Sequence, residues 1–167
     1  KMHNAATLAG MAFANAFLGM NHSLAHKIGA EFHVPHGRAN AILLPYVIRY
    51  NGTKPEKPGV WPKYNYYKAD EKYAELARLI GLKFNTVEEG VVAYAKACAD
   101  LGADCGIKMS FKEQGLDAKA WDGAKEKIAY LAYEDQCSPA NPRVPMVNDM
   151  IDILRASYEG DTSYYTK

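Results

Sequence analysis

The sequence predicts an all-α protein, and three observations support this fold class. Apolar residues recur at intervals of three and four, capping residues precede several of these periodic segments, and we find no convincing strand pattern. A chain of 167 residues is long enough for one sizeable core, so residues 1–167 are expected to form a single helical domain. The formal net charge of +1 argues against nucleic acid or an anionic membrane as the main partner.

The first predicted helix is the apolar run AATLAGMAFANAFLGM, which is rich in alanine and glycine. Its sixteen residues are fewer than the roughly twenty that span a bilayer, and the flanks of a signal peptide are missing. We therefore expect a buried helix and no membrane segment. The spacing places these residues on its buried face: Phe13, Phe17, Met20 and Leu24.

Two more helices are expected before residue 53. The second runs from His22 to about Ile28, and the third follows Gly37, with a kink at Pro45 because the ring removes a backbone donor. The apolar stripe of the third helix comprises Ile42, Leu43, Tyr46 and Val47.

Residues 53–68 carry several prolines and are expected to form a long loop. Helices should follow at about 69–80 and 87–101, ended by Gly81 and Gly102. Thr86 and Glu89 match a capping box at the start of the second of these, and Ser110 with Glu113 repeats that pattern before a short helix.

Two helices are expected in the C-terminal third of the chain. Asp117 should cap the first, whose buried face comprises Trp121, Ala124, Ile128, Leu131 and Ala132. The stretch CSPANPRVP breaks this helix because residues before proline avoid the α region. The last helix carries Val147, Met150, Ile151, Leu154 and Tyr158. The tail GDTSYYTK is expected to fray.

The cysteine pattern favours a reduced compartment. Cys98, Cys105 and Cys137 are odd in number and form no C-x-x-C pair, which is more typical of a cytoplasmic protein than of a disulfide-stapled secreted one.

Four of the five histidines fall within the stretch NHSLAHKIGAEFHVPHG. His22 and His26 are four residues apart and share a helix face, and the turn around His36 could bring its ring opposite His22. Imidazole is a common metal ligand, but two of them make only half of a transition-metal site. His33 is expected on a turn, and His3 on the first helix with no partner.

The spacing by itself leaves a plain alternative open, since an H-x-x-x-H pair also occurs on helix surfaces and at capped core positions. The zincin motif is excluded because Ser23 stands where that motif has glutamate. The chain has no P-loop, no G-x-G-x-x-G and no serine or cysteine nucleophile motif, so covalent and phosphoryl chemistry have no support.

The segment GMNHSLAHKIGAEFHVPHGRANAILLPYVIRYN resembles the metal-binding signature of the iron-containing (group III) alcohol dehydrogenases. DQCSPANPR resembles a later segment of that family, and KYNYYKADEKYAELARLIGL resembles the bifunctional aldehyde–alcohol dehydrogenases. The resemblance implies that His22 and His36 are two ligands of a metal held by one aspartate and three histidines. It also implies that His26 lies beside the nicotinamide and the substrate, where it helps to move a proton.

The resemblance further implies the chemistry of an intact enzyme: hydride transfer between NAD(H) and a short aldehyde or alcohol, such as acetaldehyde and ethanol, assisted by iron(II). Imidazole also suits zinc, so the ligands do not select iron. The aspartate ligand, the first histidine ligand and the glycine-rich nucleotide-binding segment of the family have no match in this chain. We therefore expect a C-terminal part of the metal-binding domain of a longer enzyme.

A second hypothesis belongs to a different class. Without the missing ligands, the chain could be a catalytically silent helical module that scaffolds or mediates assembly, since the bifunctional relatives form filaments. The resemblance implies a homo-oligomer or filament for the intact enzyme, and it leaves open related dehydrogenases for propanediol, butanol or glycerol.

Overall fold

A computed structural model describes residues 1–55 and 67–167 of the chain. Within these residues every long regular element is a helix and no strand occurs, which confirms the predicted all-α class. The helices are α1 (Met2–Ala16), α2 (Met20–Phe32), α3 (His36–Gly52), α4 (Ala69–Leu79), α5 (Val87–Asp104), α6 (Ala118–Tyr133), α7 (Val147–Glu159) and α8 (Ser163–Thr166), with a 3₁₀ turn at Ser138–Ala140. Most of the predicted 53–68 loop lies outside the described residues.

The predicted helix starts at Thr86 and Asp117 are confirmed by their hydrogen bonds. The Thr86 hydroxyl accepts from the Glu89 backbone N–H at 3.1 Å, and the Glu89 carboxylate accepts from the Thr86 N–H at 3.3 Å. The Asp117 carboxylate accepts from the Ala120 N–H at 2.8 Å. Both caps satisfy backbone donors that have no partner inside the helix.

The central element is α3, which packs against α2, α4, α5, α7 and α8. Its predicted stripe is confirmed, since all four members are buried: Ile42, Leu43, Tyr46 and Val47. Removing such side chains from water contributes about 1.5–3 kcal/mol each, so the α3 stripe is a major part of the core. The N-terminal end of α3, which carries His36, is thereby fixed to the body of the protein.

The prediction of a buried first helix is wrong. No residue of α1 is buried, and the Phe13 and Phe17 side chains are 46% and 48% exposed. Phe17 has a positive φ of 63° with ψ −176°, a conformation outside the helical region, and this ends α1. Met20 and Leu24 consequently belong to α2, where both are fully buried.

Two predicted boundaries are also corrected. Helix α5 continues through Gly102 to Asp104. Gly102 has a packing role instead, because the Met109 side chain fills the space where a Cβ would lie. The turn out of the helix is made at Gly106, with φ 80°. A separate correction concerns α2, which extends beyond Ile28 to Phe32.

The short helix predicted after Ser110 is a series of turns. The Ser110 hydroxyl does accept from the Glu113 N–H at 3.1 Å, as the capping pattern requires. The N–H of Phe111 has no partner inside such a turn, and it donates to the Ser157 carbonyl on α7 at 3.2 Å. The turn ends at Gly115, which has φ 91°, and the Leu116 N–H donates to the Phe111 carbonyl at 3.2 Å, so no further helical turn follows.

The two C-terminal predictions are confirmed in part. In α6 the side chain of Leu131 is 42% exposed, and Ala129 is buried instead. The tail does not fray fully, because residues 163–166 form α8 and the Tyr165 ring packs edge-on against Tyr46 with centroids 5.1 Å apart.

No helix among the described residues is both long enough and apolar enough to cross a membrane.

Candidate functional site

The candidate site is built from the facing ends of α2 and α3. Helical spacing places His22 and His26 one turn apart on α2, with ring centroids 6.1 Å apart. The helix itself is fixed by its opposite face, where Leu24 and Ile28 are fully buried. The two imidazoles therefore project from a rigid support.

A short connection brings the third imidazole to the other two. Helix α2 ends at Phe32, the next residue His33 is left-handed with φ 56°, and Pro35 is extended with ψ 133° before α3 begins. The reversal places the His36 ring 5.3 Å from that of His22 and stacked 5.4 Å from that of His26. The structure thus brings together the three predicted site residues.

The other two histidines occupy the positions that the sequence predicts. His33 is exposed at the turn between α2 and α3, and His3 is exposed on α1. Phe13 of α1 does approach the site, with its ring centroid 6.4 Å from that of His22. It adds an apolar ring beside the imidazoles.

A chain of amide hydrogen bonds joins the two helices at His36. The Asn21 amide donates to the Asn40 side-chain oxygen at 2.7 Å, and the Asn40 amide lies 3.0 Å from His36 Nε2. These neutral contacts hold the His36 ring without giving it a charged partner. No ion pair with an acidic residue forms at His22 or His36 in the described part of the chain.

The electrostatics of His22 favour the form that binds metals. Burial lowers the pKa of its imidazole, and the neighbouring His36 and His26 rings lower that pKa further. Neutral imidazole has the free lone pair that a metal ligand requires. The donor chemistry of His22 therefore fits a divalent cation that accepts nitrogen ligands, and His36 offers a nitrogen donor of the same type beside it.

The ligand set that this chain provides is nevertheless incomplete. Among residues 1–55 and 67–167, one group of three histidine, cysteine or carboxylate ligand atoms lies within 4.8 Å of one another, and it comprises His26, Asp135 and Cys137. His22 and His36 have no third ligand of this kind beside them in these residues, so a cation held by both would need further ligands from elsewhere.

Sequence reasoning missed Asp135, which lies behind the imidazoles. Its carboxylate accepts from Lys27 Nζ at 2.8 Å and from the Cys137 N–H at 3.0 Å, and it lies 3.4 Å from His26 Nδ1 and 3.5 Å from the Ser23 hydroxyl. Burial would raise the pKa of Asp135, but the hydrogen bonds from Lys27 and Cys137 prevail and hold it well below its usual range. The carboxylate is therefore ionised at neutral pH.

Asn141 is a second missed residue, and it fixes the start of α2. Its side-chain oxygen accepts from the Met20 N–H at 3.1 Å, and its amide donates to the Asn51 side chain at 2.7 Å and to the Arg143 carbonyl at 2.6 Å. A Cβ at Gly19 would lie 2.7 Å from that oxygen, so a larger residue there would push the Asn141 side chain out of this position. The motif DQCSPANPR, which contains Asp135 and Asn141, is the sequence signal that could have indicated both residues.

Comparison with known proteins agrees with this arrangement. The family model described as "Fe-containing alcohol dehydrogenase family, C-terminal" matches residues 1–158. The chain is 65% identical over 160 residues to the aldehyde-alcohol dehydrogenase of Streptococcus pneumoniae serotype 4, covering 96% of this chain and 18% of that protein. It is 40% identical over 166 residues to the bifunctional aldehyde-alcohol dehydrogenase AdhE of Escherichia coli K12, with the same two coverages.

A solved structure shares the fold as well. A 1,3-propanediol oxidoreductase superposes with a TM-score of 0.75 at 31% identity, over 90% of this chain and 35% of its own. The chain thus spans about a fifth to a third of the length of these relatives. With its histidine face, its fold and the match over residues 1–158, the chain belongs to the Fe-containing alcohol dehydrogenase family.

Proposed function

We propose that this chain forms part of the metal-binding domain of an NAD-dependent dehydrogenase that interconverts a short aldehyde and its alcohol, with acetaldehyde and ethanol as the pair. The observation that carries the proposal is the convergence of His22, His26 and His36 from two helices. The names of the aldehyde-alcohol dehydrogenases that it resembles support the substrate class. Because the chain spans 18% of their length, the remaining ligands and the nucleotide-binding site would come from other parts of the enzyme.

In this function His22 and His36 hold iron(II), or zinc as a substitute, through neutral imidazole nitrogens. When bound, such a cation supplies Lewis-acid stabilisation of the negative charge that develops on the substrate oxygen. The hydrogen bonds that join Asn21, Asn40 and His36 keep the two ligand-bearing helices in register. The buried faces of α2 and α3 preorganise the ligands before any cation arrives.

His26 has a different task from its two neighbours. Its Nδ1 lies 3.4 Å from the ionised Asp135 carboxylate, so its ring is paired with a charge that His22 and His36 lack. We assign to His26 the transfer of a proton between the substrate oxygen and solvent, beside the nicotinamide ring. An imidazole suits this role because its ordinary pKa lies near neutrality.

Metal titration of the chain tests the proposal. We expect iron(II) or zinc to bind with one-to-one stoichiometry, and we expect His22→Ala and His36→Ala each to weaken that binding at least tenfold, because each removes one of two nitrogen ligands. His33→Ala is the matched control, since His33 is exposed outside the ring cluster and should leave the affinity unchanged. Equal affinity in all three variants would contradict the assignment of His22 and His36. The two-histidine half-site alone should not reduce acetaldehyde with NADH.

A second candidate function, assembly, is favoured by α1. Its apolar side chains are exposed, including Leu8 at 65% and Met11 at 62%. Exposed apolar surface of this kind is typical of a surface that contacts more protein. If α1 mediates self-association, Leu8→Glu should shift the chain toward monomer in sedimentation velocity, whereas Thr7→Glu on the same helix should shift it less.

A further inference from the structure

We infer that Asp135 is a positioning residue that holds the neutral His26 ring with its proton on Nδ1 and leaves Nε2 as the proton-accepting nitrogen. The inference deepens the proposed function, on which its catalytic meaning rests. It concerns a residue 109 positions away in the sequence, on the segment that follows α6.

The first step is the chemistry of the contact. Asp135 Oδ2 lies 3.4 Å from His26 Nδ1. An ionised carboxylate can only accept hydrogen bonds, so the nitrogen that faces it must carry the hydrogen. In a neutral imidazole the other nitrogen, Nε2, then keeps the free lone pair.

The second step is that the carboxylate is itself held in place. Its other oxygen, Oδ1, accepts from the Cys137 N–H at 3.0 Å, which ties the side chain to the backbone two residues on. The Asp135 side chain is only 7% exposed. The Ser138 hydroxyl, which donates to the Ala132 carbonyl at 2.6 Å, also lies 3.0 Å from the Ser23 hydroxyl, so this segment is tied to both α6 and α2.

The third step concerns Lys27, which competes for the same oxygen. Its ammonium group lies 2.8 Å from Oδ2, closer than the His26 ring does. A carboxylate oxygen has two lone pairs and can serve both donors. Lys27 therefore stabilises the charged form of Asp135, and the charged form fixes the tautomer of His26.

The consequence for the reaction follows from proton balance. In alcohol oxidation the hydroxyl proton passes to His26 Nε2 while hydride leaves the carbon for NAD⁺, and in aldehyde reduction both steps reverse. The imidazolium that forms carries a positive charge beside the Asp135 carboxylate, as a histidine does in a Ser-His-Asp triad. The opposite tautomer would present a hydrogen at Nε2 and could not accept this proton.

Nitrogen-15 NMR of the chain with labelled histidine tests the inference without turnover. The spectrum is recorded about two pH units above the ordinary histidine pKa of ~6.5, where free imidazoles are neutral. We expect the His26 resonances to show Nδ1 protonated and Nε2 unprotonated in the unsubstituted chain. A predominantly Nε2–H ring would overturn the inference, and no variant is needed for that result.

Two variants separate the carboxylate from general disturbance of the site. Asp135→Ala removes the acceptor, so the His26 pattern should move toward the Nε2–H form that free imidazole prefers. Lys27→Met removes the other partner of Oδ2 and should leave His26 as Nδ1–H, because the carboxylate keeps its bond from the Cys137 N–H and is ionised at this pH without Lys27. If the His26 nitrogen-15 resonances are unchanged in Asp135→Ala, then Asp135 does not determine the tautomer and the inference is overturned.

The metal titration described above makes failure of the two proposals distinguishable. If His26 carries Nδ1–H but no cation binds through His22 and His36, the positioning role of Asp135 is supported and the proposed function is contradicted. If the cation binds but His26 carries Nε2–H, the metal site is supported and the positioning role of Asp135 is contradicted.

Discussion

The consecutive helices α1 and α2 differ sharply in their environment although both carry apolar residues at helical spacing. Helix α2 buries five of its residues, among them Leu24 and Ile28, while α1 buries none. Only three residues separate them, and Phe17 turns the chain at that point with φ 63°. The two helices differ in burial because α2 packs against two other helices, α3 and α6.

This difference shows that apolar composition predicts a helix but not its burial. In α2 the buried face contacts two other helices, and its opposite face presents His22 and His26. In α1 the same kind of residues remain in contact with solvent among the described residues. Four experiments test whether the two helices differ as much in energy as they do in burial.

The largest effect is expected from truncating a buried leucine. Leu24→Ala should lower the free energy of unfolding by about 2–5 kcal/mol, because it removes a fully buried side chain and leaves a cavity. Leu8→Ala on α1 is the matched control and should change it by less than about 0.5 kcal/mol. Denaturant unfolding of the chain measures both, and similar losses would show that α1 is packed as firmly as α2.

A second experiment compares two asparagines that bond to helix backbone. Asn141→Ala leaves the buried Met20 N–H without its acceptor and should cost about 1–3 kcal/mol of unfolding free energy. Asn15→Ala removes an exposed bond from its amide to the Met11 carbonyl and should cost little, because water replaces it. Amide hydrogen exchange at Met20 should also become faster in the first variant. Equal costs for the two variants would argue against Asn141 as an anchor of α2.

The third experiment uses pH to test the anchoring of α2 by Asp135. Its folded-state pKa is depressed, so its stabilising contribution is complete above the ordinary aspartate pKa of ~3.9 and is lost as pH falls through the folded value. Asp135→Asn should therefore destabilise the chain by about 1–2 kcal/mol at neutral pH and progressively less in acid. Unfolding midpoints at several pH values measure the difference, and a constant gap between the two chains would contradict the prediction.

The smallest effect is expected at a glycine. Gly10 lies within α1, and a Cβ added there would have no neighbour within 4 Å. Gly10→Ala should therefore stabilise the helical form of α1 by roughly 0.8–1 kcal/mol, the difference in helix propensity between the two residues, and so raise its helical content. Gly29→Ala on α2 should gain less, since its Cβ would lie 3.3 Å from the Val34 carbonyl oxygen. Circular dichroism measures the first change, and a rise in global stability would mean that α1 is coupled to the core.

Local signals predicted much of the fold. The capping box of Thr86 and the cap of Asp117 are confirmed because their hydrogen bonds form within four residues. The Ser110 pattern is also present, yet no helix follows, because Gly115 takes φ 91° and the Leu116 N–H bonds back to the Phe111 carbonyl at 3.2 Å. A capping pattern therefore predicts where a helical turn begins, and a glycine in the left-handed region ends it.

The candidate site divides in the same way. The juxtaposition of His22 and His26 follows from helical spacing, and Pro35 and the left-handed residue 33 explain the approach of His36. The pairing of His26 with Asp135 could not follow from spacing, since 109 residues separate them. Hydrophobic periodicity and residue spacing give information only about nearby residues, so they cannot predict a contact between residues this far apart in the sequence.

Local sequence was enough to define the helices, several of their caps and the pairing of His22 with His26, because these depend on neighbours within about one helical turn. His36 joins the pair through the reversal at His33 and Pro35. Which apolar faces are buried depended on tertiary packing, since burial requires a partner helix, and this packing left α1 exposed while α8 packed on Tyr46. The position of the Asp135 carboxylate beside His26 also depends on tertiary packing. The α6–α7 connection carries Asp135 to His26 and Asn141 to the start of α2, and only the packing of α2 against α6 brings these groups within hydrogen-bonding distance.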